Sequence, residues 1–400
     1  MSAQQDRIEA GRKVLIENYG RLPIVAASGQ NAKLLDADGK EYIDFFPGFG
    51  ACGVTGHCHP AVVRAVQTQA ATLQAHGNLL FSDPQIDLAE RITKHAFGGK
   101  VFFCHSGAEA NEAALKLVRL AARGGERKAA GPYKIISFEN CFHGRTMGGL
   151  SITPPSFQLG FEPMLPGNVM VPYGDLAAVE KAVDKDTAGV FIEPIQAEGG
   201  MNIPTVEFMQ GLRKLCDDKG LLLVCDEVWC GPARTGKWFA YQYYDIEPDV
   251  MTLAKAVGGG LPIAACVAAP QWADVLCPGT HGCTMGGAPV CAAAGAATMK
   301  LIEDENLVAR AETLGNEAMQ ILQKARPACV TDLRGKGLMI GMTLAESVSA
   351  KDVMTACLDH GLIVCTAKNN VLRLAPPLTI ETDVLHKGLA ILIDVLKSKN

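Results

Sequence analysis

One stretch, residues 221–265, decides the fold, and it reads LLLVCDEVWCGPARTGKWFAYQYYDIEPDVMTLAKAVGGGLPIAA. It opens with a short apolar run, 221–225, which is typical of a buried parallel strand and too short for a buried helix. A second apolar run, 250–254, is followed at once by Lys255. Because the carboxyl ends of parallel strands meet at one edge of an open α/β sheet, Asp226 and Lys255 are predicted to converge on one ligand.

Outside this stretch, strand and helix patterns alternate. Upstream, the pattern predicts strands at 100–104, 133–138 and 188–192 and helices at 60–74, 86–96, 110–123, 176–183 and 205–219. Such alternation indicates a mostly parallel sheet with helices on both faces. Downstream, it predicts helices at 289–303, 307–324 and 381–396 and strands near 338–344, 362–365 and 371–374. The downstream part therefore indicates a second, smaller α+β domain.

The predicted domains are an N-terminal segment, 1–48, that joins the small domain, a large ligand-binding domain at 49–288, and the small domain at 289–400. Within the first segment, the turn signal Asp38-Gly39 separates two short strand patterns, at 32–35 and 41–45. A small antiparallel element is expected there.

Composition narrows the possible functions. The chain has 400 residues, of which 48% are hydrophobic and 20% charged, and its net charge is −5. These values are typical of a globular protein and give no reason to expect nucleic acid or an anionic membrane as a partner. With no apolar run of transmembrane length and a polar N-terminus, the cytoplasm is the expected location.

Cysteine and histidine raise the question of disulfides and metals. Many of the fourteen cysteines lie in apolar surroundings, so they are expected to be buried thiols rather than disulfides. The group His57-Cys58-His59 could suggest a metal cluster, but no second ligand group accompanies it. A loop before a helix that starts at Pro60 is the favoured interpretation, and no metal is expected.

Three loop motifs carry candidate binding groups. Ser106 and Glu109 have capping-box spacing, yet the amides of Gly107 and Ala108 at the same helix start would also suit a phosphate. Phe142 and Arg145, in a loop after a strand, are either local packing and a solvated charge or a stacking face and a carboxylate clamp. Glu198 lies between small residues, and Arg373 is a candidate ion-pair partner that spacing alone does not establish.

Asp226 and Lys255 are the most informative pair. A buried carboxylate is unfavourable unless it meets a cation or a strong donor, and a protonated pyridine nitrogen is such a donor. Desolvation lowers the pKa of a buried lysine and makes its amine nucleophilic. With a phosphate site and an aromatic face, these groups fit pyridoxal 5'-phosphate, which forms a Schiff base with lysine and pairs its ring nitrogen with an acid.

Seven motifs in chain order resemble the class III, ornithine-type, aminotransferases of fold type I. They are SGAEANEAALK (106–116), FHGRT (142–146), EPIQAEGG (193–200), DEV (226–228), RTGKWFA (234–240), LAKAVGGGLPI (253–263) and GTHGCTMGG (279–287). Four others resemble the acetylornithine aminotransferase branch of that family: NYGRLP (18–23), GHCHP (56–60), NLLFSDPQIDLAERI (78–92) and RGKGLMIG (334–341). The resemblance implies a fold type I pyridoxal-phosphate enzyme, with a mostly parallel central sheet in its large domain.

The resemblance also implies roles for individual residues. Lys255 would hold the cofactor and shuttle a proton, and Asp226 would keep the pyridine nitrogen protonated. The cofactor ring would lie between Phe142 and Val228. Its phosphate would be bound by the helix start at Ser106, Gly107 and Ala108 and, from the other subunit of a homodimer, by Thr284.

The implied reaction moves the δ-amino group of N-acetylornithine to 2-oxoglutarate, giving N-acetylglutamate semialdehyde and glutamate in arginine biosynthesis. Arg145 would bind the α-carboxylate of acetylornithine or the distal carboxylate of glutamate. Arg373 would bind the α-carboxylate of glutamate and would be neutralised by Glu198 in the other half-reaction. Tyr19 would line the substrate end. Cys283 stands where the family has a serine beside the phosphate-binding threonine.

The sequence departs from the family pattern immediately after the acid. Trp229 and Cys230 replace a glutamine and a threonine, and that glutamine normally contacts the ring hydroxyl of the cofactor. An indole can donate one hydrogen bond and accept none, so the tuning of the cofactor would differ. Ala197 and Ala233 stand where glycine is common.

Other functions remain open at this stage. Within the family, the substrate could be succinylornithine, ornithine, a lysine derivative or 4-aminobutyrate, although the small Gly282 favours a long substrate. A non-catalytic pyridoxal-phosphate-fold binding protein is the alternative outside enzymes, and retention of the lysine, the acid and both arginines argues against it. A nicotinamide-dependent dehydrogenase is disfavoured, because Gly258-Gly259-Gly260 lacks the strand-first GxGxxG context.

Overall fold

The computed structural model describes residues 3–127 and 130–399. The eight helices predicted from apolar periodicity are present within three residues of their predicted bounds, and four further helices, at 3–14, 147–151, 155–158 and 350–359, were not predicted. The helices are α1 Ala3–Val14, α2 Pro60–Thr72, α3 Asp83–His95, α4 Gly107–Ala121, α5 Met147–Ser151, α6 Pro155–Gln158, α7 Leu176–Ala182, α8 Val206–Lys219, α9 Pro289–Asp304, α10 Leu307–Ala325, α11 Ala350–Asp359 and α12 Thr382–Lys397. None of these described helices has the length and apolar character needed to cross a membrane.

The strands are short, as expected for a sheet built from buried apolar runs. They are β1 Ala26–Gln30, β2 Lys33–Asp36, β3 Glu41–Asp44, β4 Lys100–Cys104, β5 Lys134–Phe138, β6 Asn168–Val171, β7 Thr187–Ile192, β8 Leu222–Asp226, β9 Val250–Leu253, β10 Ala264–Ala268, β11 Val330–Lys336, β12 Met339–Leu344, β13 Leu362–Ile363, β14 Cys365–Ala367 and β15 Val371–Leu374. The prediction of one continuous strand at 362–365 is wrong, because this stretch contains β13 and the start of β14, which belong to different sheets.

A central seven-stranded sheet has the order β4-β10-β9-β8-β7-β5-β6. Strand β10 is antiparallel to both β4 and β9, and the neighbouring pairs from β9 to β6 are parallel. The prediction of a mostly parallel sheet is therefore confirmed. The reversed β10 was not predicted, and its presence makes the chain turn back at the edge where β8 and β9 end.

Alternate residues of the central strands face two separate apolar clusters. Val190, Leu223 and Met251 pack on the side that includes α3, α8 and α9. Phe191 and Val224 pack on the opposite side, against α4. Every residue of β7, β8, β9 and β10 is buried. Helices thus cover both faces and leave the strand ends as the accessible part of the sheet, where ligands of open α/β folds bind.

One of two smaller sheets, β1-β2-β3-β13, combines strands from the N-terminal and C-terminal parts of the chain. The predicted hairpin is confirmed, since β2 and β3 are antiparallel, and β3 also pairs in parallel with β13 from the C-terminal part. A second sheet has the order β11-β12-β15-β14. The pairing of β3 with β13 supports the grouping of 1–48 with 289–400, and the three domain boundaries at 1–48, 49–288 and 289–400 stay a prediction.

The cysteines are free thiols, as expected; eight of the fourteen are buried, and Cys58 and Cys277 are exposed. Cys104, Cys225 and Cys266 are among the buried ones. Cys365 is only partly buried.

Candidate active site

The carboxyl ends of β4, β5, β7, β8 and β9 surround a cavity of about 480 Å³. In the sheet register, Asp226 at the end of β8 pairs with Thr252 of β9, so Lys255 follows three residues beyond that pair. Both side chains line the cavity, as the positions of their strands predict.

Asp226 is buried and surrounded by hydrogen-bond donors. Its Oδ2 accepts from Asn111 Nδ2 and bonds His143 Nδ1, both at 2.8 Å, and its Oδ1 accepts from the amide of Val228 at 3.0 Å. Burial acts to raise the pKa of Asp226, but the hydrogen bonds from His143 and Asn111 outweigh it, so the pKa is lower than usual. The carboxylate is therefore charged at neutral pH and can balance a cation in the cavity.

Lys255 begins a short 3₁₀ turn, Lys255–Gly258, and has a left-handed backbone with φ of 40°. Burial lowers the pKa of its amine, an effect that the nearby Glu198 and Asp226 partly oppose. Its Nζ lies 5.2 Å from the centroid of the Trp229 ring. A buried amine with a lowered pKa is a better nucleophile than an exposed one, because a larger fraction is unprotonated.

The start of α4 forms one wall. The capping box is confirmed, with the amide of Glu109 donating to Ser106 Oγ at 3.3 Å and the amide of Ser106 donating to Glu109 Oε2 at 2.8 Å. As first-turn residues, Gly107 and Ala108 have amides without an intrahelical acceptor, and both residues line the cavity. A Cβ at Gly107 would lie 2.8 Å from Val228 Cγ1, so glycine is needed for the close approach of helix and wall.

Phe142 and Arg145 line the same cavity on the β5 side. The amide of Phe142 donates to Glu193 Oε2 at 3.1 Å, which fixes the loop. Arg145 is exposed, and its guanidinium stacks over Phe142 at 5.6 Å and over Phe157 at 4.7 Å. The aromatic contacts hold the guanidinium by its faces and leave its N–H edges available to a carboxylate.

The ion pair between Glu198 and Arg373 is present. Arg373 Nη1 donates to Glu198 Oε1 at 2.9 Å, and Arg373 Nη2 donates to the carbonyl of Thr366 at 2.8 Å. Trp229 Nε1 donates to the same Glu198 oxygen at 3.3 Å. Burial acts to raise the pKa of Glu198, but the charge and hydrogen bond of Arg373 outweigh this effect and lower the pKa, so Glu198 is a carboxylate.

The other candidate residues lie outside this cavity. Tyr19 is exposed and contacts Phe49, with ring centroids 6.3 Å apart. Cys283, Thr284 and Gly282 line a second cavity of about 530 Å³, next to the start of α4. A substrate role for Tyr19 and a phosphate role for Thr284 therefore stay predictions.

Sequence reasoning missed three residues that shape the cavity. His143 lies within the FHGRT motif, Asn111 lies one turn into α4, and Glu193 lines the wall. Burial raises the pKa of Glu193 to about 8. Nothing in the local sequence predicts that His143 or Asn111 contacts Asp226, because these residues lie far from it in the chain. A buried acid at a strand end does, however, require donors, and polar residues at neighbouring strand ends were the signal available.

The histidine and cysteine group at 57–59 forms the predicted loop. His57 Nε2 bonds Asp44 Oδ2 at 3.0 Å, and His59 Nδ1 accepts from the amide of Ala61 at 3.3 Å, which caps α2 at Pro60. These contacts account for both histidines without a metal ion, and the expected absence of a metal stays a prediction.

Comparison with known proteins decides the family. The family model for Aminotransferase class-III matches residues 15–396. The chain belongs to the class III aminotransferases. It is therefore a pyridoxal-phosphate-dependent aminotransferase, as the ordered motifs predicted, and the predicted fold type I architecture is confirmed.

Several relatives are similar to this aminotransferase over nearly their whole length. An acetylornithine aminotransferase from Mycolicibacterium smegmatis is 48% identical over 379 residues, which cover 94% of this chain and 93% of the relative. One from Methanopyrus kandleri is 45% identical, covering 96% and 97%. Among solved structures, the ornithine aminotransferase of Toxoplasma gondii superposes with a TM-score of 0.94 at 30% identity, covering 99% of this chain and 94% of that one.

The residues of this aminotransferase fit pyridoxal phosphate. Unpaired amides at the start of α4 suit the phosphate, and the charged carboxylate of Asp226 suits a protonated ring nitrogen. Between them, Phe142 and Val228 line the cavity where the ring would lie. The amine of Lys255 reaches the same cavity and suits the aldehyde.

Proposed function

We propose that this aminotransferase transfers the δ-amino group of N-acetylornithine to 2-oxoglutarate, in arginine biosynthesis. One observation carries the proposal: the cavity is lined by an accessible guanidinium, Arg145, and by Glu198, whose carboxylate covers a second guanidinium, the buried Arg373, at 2.9 Å. The names of the relatives from Mycolicibacterium smegmatis and Methanopyrus kandleri support the choice of N-acetylornithine.

The two arginines account for two substrates in one cavity. The α-carboxylate of N-acetylornithine binds Arg145, which places its distal amine toward Lys255, while Glu198 stays on Arg373. With glutamate, the distal carboxylate binds Arg145 and the α-carboxylate binds Arg373 after Glu198 moves away. A guanidinium binds a carboxylate through two parallel hydrogen bonds, so each arginine fixes both position and orientation.

The chain's own groups then handle the proton. When bound, pyridoxal phosphate supplies an electron sink that acidifies the C–H bond beside the amino group of the substrate. The Lys255 amine, whose pKa burial lowers, takes this proton as a base and returns it as an acid. Asp226 stays charged throughout and stabilises positive charge in the cavity. Its hydrogen bonds with His143 and Asn111 fix the orientation of the carboxylate.

A panel of amino donors tests the substrate. The holoenzyme is assayed with 2-oxoglutarate and N-acetylornithine, succinylornithine, ornithine, an N-acyl-lysine or 4-aminobutyrate. We expect kcat/KM for N-acetylornithine to exceed that for ornithine by about tenfold or more, because the free α-amine of ornithine adds an unpaired charge to the cavity. A higher kcat/KM for ornithine or 4-aminobutyrate would overturn the assignment.

The cytoplasmic location stays a prediction.

We infer that the active form is a homodimer. Leu79, Leu80 and Phe81 are 98%, 66% and 92% exposed, which is unusual for three consecutive large apolar residues. Asn78 ties this segment to the loop of Thr284 by donating to the carbonyls of Cys283 and Gly286 at 2.9 and 3.0 Å. By resemblance to the family, the partner subunit's Thr284 would reach the phosphate of this cavity.

The exposed segment supplies the test of the dimer. Sedimentation of the wild-type protein is expected to give twice the chain mass, and Phe81→Asp is expected to give mainly monomer with most activity lost, since a charge would be buried in the interface. Val206→Asp is the matched control, because Val206 is an exposed apolar residue in the first turn of α8. An active, monomeric wild-type protein would contradict the inference.

A further inference from the structure

Trp229 lies between the Lys255 amine and the ion pair of Glu198 with Arg373. Its Nε1 donates to Glu198 Oε1 at 3.3 Å, the same oxygen that Arg373 Nη1 reaches at 2.9 Å. The Arg373 guanidinium carbon is 5.4 Å from the centroid of the indole, and Lys255 Nζ is 5.2 Å from it. The indole therefore lies against both cations and donates to the carboxylate of Glu198.

Packing holds the indole in one position. Trp229 is 4% exposed and packs on Phe46 with ring centroids 5.7 Å apart, and Phe46 in turn lies 5.0 Å from the Arg373 guanidinium. A Cβ at Gly50 would lie 2.5 Å from the outer edge of the indole, so the glycine leaves room for it. The Nε1 donor is thus fixed before any substrate binds.

We propose that Trp229 is a specificity-determining residue that stabilises Glu198 on Arg373 and so disfavours substrates with a second carboxylate at that end. The inference rests on the proposed assignment of Arg373 to the second carboxylate. A dicarboxylate must separate Glu198 from two donors, the guanidinium and the indole. A monocarboxylate bound at Arg145 leaves both hydrogen bonds intact, so its affinity is independent of Trp229.

The test compares two ligands of the holoenzyme by calorimetry. The probes are 2-oxoglutarate, with two carboxylates, and pentanoate, with one carboxylate and the same chain length. Trp229→Phe keeps an aromatic ring and removes only the N–H donor. We expect it to bind 2-oxoglutarate about tenfold more tightly, the lower end of the range for losing one hydrogen bond to a charged group, with pentanoate affinity unchanged.

Two controls separate this role from a structural one. Trp238→Phe makes the same change at a tryptophan that stacks on His95, at 3.6 Å, outside the cavity, and is expected to alter neither affinity. In a Glu198→Gln background, Trp229→Phe is expected to have little further effect on 2-oxoglutarate, because the charged acceptor is gone. The ratio of the two affinities is taken within each variant, so a partly unfolded preparation does not change it.

The outcomes are distinguishable from those of the donor panel. An equal change in both affinities, or weaker binding of 2-oxoglutarate to Trp229→Phe, would overturn the role of Trp229 even if N-acetylornithine is the best donor. If another amine is the best donor, but Trp229→Phe tightens the binding of 2-oxoglutarate and leaves that of pentanoate unchanged, the role of Trp229 stands and only the proposed substrate is wrong.

Discussion

Lys255→Ala is expected to abolish transamination and the absorbance band of the cofactor bound to the lysine. The amine is the group in the cavity that can both bind an aldehyde and carry a proton, and burial lowers its pKa. Loss of a positioned base alone lowers a rate by about 10²- to 10⁴-fold, and loss of the covalent attachment adds to it. Stopped assays with N-acetylornithine, together with the visible spectrum, measure both effects.

The matched control is Lys237→Ala, because Lys237 is exposed and contacts the ring of Tyr243 at 5.7 Å, outside the cavity. It is expected to retain wild-type turnover and spectrum. A yellow, active Lys255→Ala protein would show that another amine holds the cofactor.

Asp226→Asn is the second large effect, and we expect turnover to fall about a thousandfold while some cofactor stays bound. The change preserves side-chain shape and removes the charge that a protonated ring nitrogen requires, and removal of one preorganised electrostatic contact lowers rates by about 10²- to 10³-fold. The new amide also faces two donors, Asn111 and His143, at positions where the carboxylate accepted hydrogen bonds. Single-turnover absorbance measurements separate the chemical step from cofactor loss.

Asp218→Asn is the control for this variant, since Asp218 forms an exposed helical ion pair with Lys214 at 2.7 Å. Surface pairs of this kind contribute about 0 to 1 kcal/mol to stability, so activity is expected to be unchanged. Wild-type activity in a folded Asp226→Asn protein would mean that the carboxylate is not the counter-ion of the ring nitrogen.

Much of the central sheet could be predicted from local apolar runs. The predicted strands 221–225 and 250–254 lie within one residue of β8, Leu222–Asp226, and β9, Val250–Leu253. The reversed β10, Ala264–Ala268, could not be predicted in the same way. Its run of small residues shows no alternation, and the direction of a strand depends on partners that are far apart in sequence.

Two residues of the site could also be predicted from the apolar runs, whereas the contacts between side chains could not. Asp226 and Lys255 stand at strand ends, where an ionisable residue after an apolar run is conspicuous. Trp229 was recognised as a departure from the family, but its hydrogen bond to Glu198 depends on how two loops pack. The same holds for the donors to Asp226, because side-chain contacts across the sheet leave no periodic pattern in the chain.

The left-handed backbone of Lys255 lowers the stability of the fold at the position that supplies the reactive amine. In this backbone conformation, a residue with a Cβ lowers the free energy of unfolding by about 1 to 2 kcal/mol relative to glycine. Selection for folding alone would therefore replace the lysine with glycine or asparagine. The amine is therefore held at a cost in stability, and a chain released from the reaction would gain stability by losing this side chain before the surrounding sheet needs to change.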